Sequence, residues 1–248
     1  MYRFYVDDSQ ISLETKRVTI TGSDVNHIKN VLRMKEGEEI SVSNGKDGRD
    51  YRCGILELDD ERILCELRFI KEDGVELPAR IHLFQALPKG DKMEFIIQKA
   101  VELGAYSIIP VETKRCVVKL DEKRAKNKVQ RWQGIAEAAA KQSKRDVIPQ
   151  VSGIKTFGEA INQASGMDVK IIPYELADGM AKTKEILSGI TKGQDVAIFI
   201  GPEGGFDESE VEKALSNGIE PITLGKRILR TETAGMTVLS IIMYLLEE

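Results

Sequence analysis

Apolar and polar positions along this 248-residue chain change their rhythm once, near residue 79. Before that point short stretches alternate: RFYV (3–6), RVTIT (17–21), EISVSNGKDGRDYRCGILEL (39–58) and RILCELRFI (62–70). A period of two puts alternate side chains on one face of a strand, and NGKDG at 44–48 supplies a hairpin turn. One helical stretch interrupts them, VNHIKNVLRM (25–34). In it Val25, Ile28, Val31 and Leu32 share a face, and either Ser23 or Asp24 can cap it. Residues 1–72 are thus predicted to form a small, mostly β, barrel-like domain, with KEDGVELP (71–78) as linker.

From Ala79 onward strands alternate with helices. RIHLFQAL (80–87), YSIIPVET (106–113), VKIIPYE (169–175), DVAIFI (195–200) and PITL (221–224) read as strands. GDKMEFIIQKAVELG (90–104), residues 123–143, the stretch around MAKTKEILSG, residues 207–217 and an apolar run near 232–247 read as helices. This alternation predicts an α/β domain over 73–248 with a mainly parallel sheet covered on both faces. Ligands of such sheets lie beyond the carboxyl ends of the strands.

The net charge of −4 argues against a polyanion partner, but its distribution does not. Between Lys89 and Arg145 there are 14 Lys and Arg against 7 Asp and Glu, whereas residues 1–72 hold 12 against 15. A concentrated basic region on an acidic chain is the footprint of a polyanion binder, although a solvated helix face gives the same count. Cys53, Cys65 and Cys116 have no metal or disulfide spacing and suit buried thiols in a reducing compartment, and His27 and His82 lie in no ligand cluster, so no metal is expected. The opening MYRFYVDD has no long apolar stretch, and the longest apolar run, Ala234–Leu246, is too short to span a bilayer. A cytoplasmic protein without a membrane partner is expected.

Two glycine-bearing stretches carry the chemistry. IGPEGGF (200–206) and LGKRILRTETA (224–234) each follow a short strand and lie about twenty residues apart, which suggests one cleft at adjacent strand ends. The first has Gly201, Gly204 and Gly205 for sharp backbone and Pro202 to fix φ. It lacks the lysine of a phosphate loop, and Glu203 suits a cationic ligand better than a phosphate. Asp207 with Glu210 has capping-box spacing. The second places Lys226, Arg227 and Arg230 within five residues, and Thr231 or Thr233 can cap the last helix, with Glu232 in its first turn.

These stretches, with HIKNVLRMKEGE (27–38), KGDKMEFIIQKAVELG (89–104), IPVETKR (109–115) and EAAAKQSKR (137–145), resemble the SPOUT class of RNA methyltransferases and, within it, the bacterial RsmE family, over nearly the whole chain. The resemblance implies S-adenosyl-L-methionine as cofactor and N3 of a uridine in 16S ribosomal RNA of the small subunit as target. Ribose 2′-O-methylation, or an RNA-binding assembly role without catalysis, stand as alternatives. It further implies a PUA-like β domain for RNA, a C-terminal domain with a deep trefoil knot against the general rule, and a homodimer through the knot region and last helix.

For individual residues, the resemblance implies cofactor contacts from Tyr174, Ile200, Gly201, Pro202, Glu203, Gly204, Leu224, Gly225, Ile228, Leu229, Arg230 and Thr233. Removal of the uridine N3 proton calls for a carboxylate, Glu203 or Glu232, and Arg230 can balance charge on the uracil oxygens. Either carboxylate can instead serve only the loop or the helix dipole. N3 lies on the pairing edge, so the target must be unpaired or flipped out, which requires an extended RNA grip. Arg3, Arg33, Lys89, Lys92, Lys99, Arg115, Arg131 and Arg145 are expected on phosphates, with Gln98, Gln142 and Ser143 near the RNA. Trp132 is expected to pack helix against sheet.

Overall fold

The computed structural model describes residues 1–72, 74–175, 177 and 179–247, so position 73 of the expected linker lies outside the described residues. The chain divides into two compact units, Met1–Glu76 with Ala140–Ile148, and Leu77–Ala139 with Pro149–Glu248. A single cut between residues 72 and 73 leaves Ala140–Ile148 on the other side from the residues with which it clusters.

The first unit contains β1 (Tyr2–Tyr5), β2 (Ile11–Ser12), β3 (Arg17–Thr21), α1 (Ser23–Asn26), β4 (Glu39–Ser43), β5 (Asp50–Leu58) and β6 (Arg62–Lys71). Its sheet runs β1-β4-β5-β6-β3-β2, antiparallel except for β1 on β4. At the β4–β5 turn the Asn44 side chain accepts from the amides of Lys46 (3.0 Å) and Asp47 (3.1 Å), a local bond that holds the turn closed. The alternating residues Val18, Ile20, Ile40, Val42, Ile55 and Ile63 meet Ile28 in the core. The expected helix is shorter than its pattern: α1 gives way to a π-helical turn at His27–Val31. Its cap is Gly22 at φ 78°, not Ser23 or Asp24, because the chain reverses there in a conformation that excludes a side chain.

Charges hold Ala140–Ile148 within this unit. Arg3 bridges Asp50 (3.0 Å) and Asp146 (2.8 Å), Arg145 pairs with Glu76, and the same Glu76 accepts from the amides of Asp146 (2.8 Å) and Val147 (3.0 Å). The Ser43 hydroxyl donates to the Asp146 carbonyl at 2.7 Å. Buried charges of this kind are retained only when paired, and removing one partner costs more than the pair contributes.

The second unit contains β7 (Arg80–Ala86), α2 (Lys92–Glu102), β8 (Ser107–Glu112), most of α3 (Glu122–Ser143), β9 (Gln150–Val151), β10 (Lys155–Thr156), α4 (Phe157–Ala164), β11 (Val169–Pro173), α5 (Met180–Ser188), β12 (Asp195–Ile200), α6 (Glu208–Ser216), β13 (Glu220–Ile222) and α7 (Thr231–Leu246). The sheet order is β10-β8-β7-β12-β11-β13, with β9 also on β8, and every ladder is parallel. β7 and β12 are buried along nearly their whole length, as central strands covered on both faces must be. Phe84 stacks on Phe199 at 4.5 Å between ring centres, and Phe157 meets Phe199 edge-on. Trp132 is buried, as a packing residue.

At the amino edge of this sheet the strands are tied by polar groups. Asp195 at the start of β12 accepts from Nε and Nη2 of Arg80 at 2.6 Å each and lies 2.9 Å from Nε2 of His82, whose Nδ1 meets the Ser107 hydroxyl at 2.8 Å. The Arg80 guanidinium holds the Asp195 carboxyl down at about 2. A carboxyl lowered in the fold contributes stability above its unfolded value of about 4, lost as pH falls toward its folded value. Asp195→Ala is expected to cost about 1–2 kcal/mol at pH 7, by analogy with charged hydrogen bonds elsewhere. Melts of both proteins should converge as pH drops from about 4 to about 2.

Candidate functional site

At the opposite, carboxyl edge, β12 ends at Ile200 and the chain turns through Gly201–Phe206. A Cβ on Gly201 would stand 3.1 Å from Phe206 Cδ2 and 3.2 Å from Cε2, so the ring closes over bare backbone. Phe206 is itself anchored in the core against Phe157 at 5.5 Å. Gly205 at φ 68° donates to the Pro202 carbonyl at 2.9 Å and completes the turn. Asp207 then caps α6 in a full capping box with Glu210, as the spacing predicts. Arg115 donates to the Gly204 carbonyl at 3.1 Å, and Glu210 accepts from the Lys114 amide at 2.8 Å. The loop is fixed at both ends and along its side.

The second glycine stretch leaves β13 at Ile222. It is not on the strand adjacent to β12: β11 lies between them, and Tyr174 at its end donates its amide to Ile222 O at 2.9 Å. Gly225 takes φ 106°, a conformation that favours glycine. The amides of Leu224 and Lys226–Leu229 make no hydrogen bond to other described residues, Leu224 and Leu229 are half-buried, and Ile228 is 83% exposed. Unpaired amides beside apolar side chains suit the flat, hydrogen-bonding ring of a nucleoside. Thr231 does not cap α7. The N-cap is Arg230 without a side-chain bond, and Thr231 inside the first turn donates its hydroxyl to the Gly201 carbonyl at 2.6 Å. That bond joins the two glycine stretches.

Between them lies a charge cluster. Lys92, at the start of α2, puts its ammonium 3.0 Å from Glu203 and 3.5 Å from Glu232. Glu203 Oε1 also accepts the Lys89 amide at 3.1 Å. Partial burial opposes ionisation of Glu203, but its own amide, Lys92 and the Lys89 amide outweigh it and hold its carboxyl below the usual range. Lys92 is raised in turn by Glu203. Glu232 Oε2 is buried without a hydrogen-bond partner. Two carboxylates within ion-pair reach of a single ammonium carry a local negative excess, which fits a sulfonium cation, and Arg230 at the N-cap of α7 is exposed.

The expected RNA contacts divide. Arg145 is buried and Arg3 half-buried in the ion network of the first unit, and Lys92 is held by the two carboxylates, so none of the three projects as an open cation. Arg33, exposed at φ 54°, and Gln142 lie in the first unit. Ser143 is half-buried in that unit. Lys89, Gln98, Arg115 and Arg131 are exposed in the second, where Arg131 pairs with Glu94 and Lys99 with Glu102. Gln85, inside β7 and bonded to Thr231, carries no sequence signal because RIHLFQAL reads as an ordinary buried strand. Among the described residues no group of three or more His, Cys, Asp or Glu could hold a metal ion, and no helix is long and apolar enough to cross a membrane.

Residues 75–243 match the family model of an RNA methyltransferase domain, and residues 20–68 that of an RNA methyltransferase PUA domain. The chain is 38% identical to the ribosomal RNA small subunit methyltransferase E of Bacillus subtilis (strain 168), over 98% of this chain and 96% of that protein. It superposes with TM-score 0.80 at 33% identity on the Neisseria gonorrhoeae ribosomal RNA small subunit methyltransferase E bound to S-adenosyl methionine, covering 97% of this chain and 95% of that one. A methyltransferase from Legionella pneumophila in complex with the bound cofactor SAM gives TM-score 0.79 at 31% identity, covering 97% and 96%.

Removing Lys92 leaves Glu203 and Glu232 facing each other without a cation. Lys92→Met is expected to lower the melting temperature at pH 7, with the deficit shrinking toward pH 4 as the carboxylates take up protons. Paired melts at the two pH values check this; an equal loss at both would mean that the ammonium does not balance the pair.

Proposed function

The chain belongs to the RNA methyltransferase family that includes ribosomal RNA small subunit methyltransferase E, and on that footing we propose that it methylates N3 of a uridine in 16S ribosomal RNA using S-adenosyl-L-methionine. The observation that carries this reading is the joining of both glycine stretches by the Thr231–Gly201 bond beside a net negative cluster. Ile200–Gly204, Tyr174, Leu224, Gly225, Ile228–Arg230 and Thr233 are the proposed cofactor contacts. When bound, the cofactor supplies an electrophilic methyl on a positively charged sulfur.

Methyl transfer is an in-line displacement, so the protein's part is positioning and proton handling. Glu203 Oε1 accepts from both Lys92 and the Lys89 amide, which suits it to shaping the loop. Glu232 Oε2, whose contact among the described residues is the longer 3.5 Å ion pair with Lys92, is the proposed acceptor of the N3 proton. Arg230 offsets negative charge that spreads onto the uracil oxygens. Arg33, Lys89, Gln98, Lys99, Arg115, Arg131 and Gln142 are the proposed RNA contacts, shared by the PUA and methyltransferase domains at 1–72 and 73–248. The reading also includes a trefoil knot in the C-terminal domain, a cytoplasmic location, and a homodimer through α7, whose Tyr244 (80%) and Leu245 (44%) are exposed.

Incubating purified small subunits with isotopically labelled cofactor, followed by digestion and mass analysis of nucleosides, tests the reaction. The expected product is uridine methylated on the base at N3; a methyl on the ribose 2′ oxygen, or none on RNA, overturns the proposal. Under single-turnover conditions Glu232→Gln should slow transfer by roughly 100-fold or more, in the range of general-base contributions, and Glu203→Gln by much less.

A further inference from the structure

Gln85, the next-to-last residue of β7, places a side-chain amide in a strand whose other buried residues are almost all apolar, directly opposite Ile200, the last residue of β12. It is fully buried, a costly position unless its polar atoms are used. Its Nε2 lies 3.0 Å from the Ala86 carbonyl and 2.9 Å from Thr231 Oγ1. A carbonyl can only accept, so the atom facing Ala86 must be the NH2 group, and that fixes which way the amide points. The second N–H then donates to Thr231. The Thr231 oxygen is thereby an acceptor, and its own hydrogen goes to the Gly201 carbonyl at 2.6 Å.

The orientation leaves Gln85 Oε1 buried without a hydrogen-bond partner, in the direction of Gly235, where an added Cβ would stand 3.7 Å from it. A buried acceptor left unused is what the reverse orientation would have put against a carbonyl instead. The relay therefore has one polarity, running from Gln85 through Thr231 to Gly201.

We infer that Gln85 is a positioning residue: by forcing the Thr231 hydroxyl to donate, it holds the Gly201–Pro202 peptide, and with it the loop Glu203–Phe206, in the form that receives the methyl donor. This rests on the cofactor reading given above. Glutamate at position 85 is the informative change, because a carboxylate can only accept. It would repel Ala86 O and turn the Thr231 hydroxyl away from Gly201, whereas a protonated carboxyl regains one donor.

The test combines calorimetric binding of S-adenosylmethionine between pH 5 and pH 8 with amide exchange of the ligand-free protein. Thr231→Val should weaken binding about tenfold, the loss of one well-formed hydrogen bond with an acceptor left unpaired, while Thr231→Ser should restore it to within about threefold. Gln85→Glu should weaken binding about tenfold at pH 8, relative to wild type, and recover toward pH 5. Exchange at residues 203–206 should quicken in Thr231→Val and in Gln85→Glu at pH 8. Folded variants with wild-type affinity at every pH and unchanged exchange would overturn the inference. If Thr231→Val does not fold, the pH profile of Gln85→Glu decides alone. A wild type that binds no S-adenosylmethionine contradicts the functional reading, and the exchange comparison then still decides for or against the relay.

Discussion

Every ladder of the second sheet is parallel, and this constraint governs where the protein can do chemistry. Parallel strands send all their carboxyl ends to one edge, so the turns after β7, β11, β12 and β13 are neighbours although they are scattered over the sequence. Backbone amides left over at such turns have no strand partner within the fold. The edge thus acquires hydrogen-bonding capacity without any specialised side chain. Glycine at 201, 205 and 225 lets the backbone turn tightly enough to present it.

The two ends of the sheet treat charge differently. At the amino edge Asp195 is matched by Arg80 and His82, and the three groups bind strands to one another. At the carboxyl edge two carboxylates share one ammonium, and the excess of negative charge is left on the site. A cluster that is balanced serves stability; one left short of a counter-ion has capacity for a cationic ligand. The phenylalanine stack of Phe84, Phe199, Phe157 and Phe206 connects the core to the loop that carries this charge, so the loop inherits the rigidity of the strands.

The sequence discloses what depends on local pattern. The strands of 195–200 and 80–86, the capping box at Asp207 and the shift from two-residue to mixed periodicity are all local, and they are found where the pattern puts them. Helix α4 is not among the expected helices, although Thr156 and Glu159 carry the same capping-box signal, and β9 and β10 have two residues each, too few for any period. Interactions across long separations were hidden. Nothing near Arg3 reveals that it meets Asp146, nor near Lys92 that it meets Glu203 and Glu232, so both read as open cations. The strand β11 is legible in VKIIPYE, but its place between the glycine stretches is not, because spatial order in a parallel sheet is not sequence order. Membership of the methyltransferase family rests on long motifs, which survive without any knowledge of those contacts.

We propose that the methyl donor binds at the carboxyl edge of the parallel sheet, closed by the glycine stretches. Hydrogen–deuterium exchange with and without S-adenosylmethionine tests it most directly, because the amides of Lys226–Leu229 have no partner among the described residues to protect them. Slowed exchange in residues 200–206 and 224–230, with the amino edge around Asp195 unchanged, is the predicted result. Protection confined to another part of the chain, with these two stretches exchanging as before, would contradict the account.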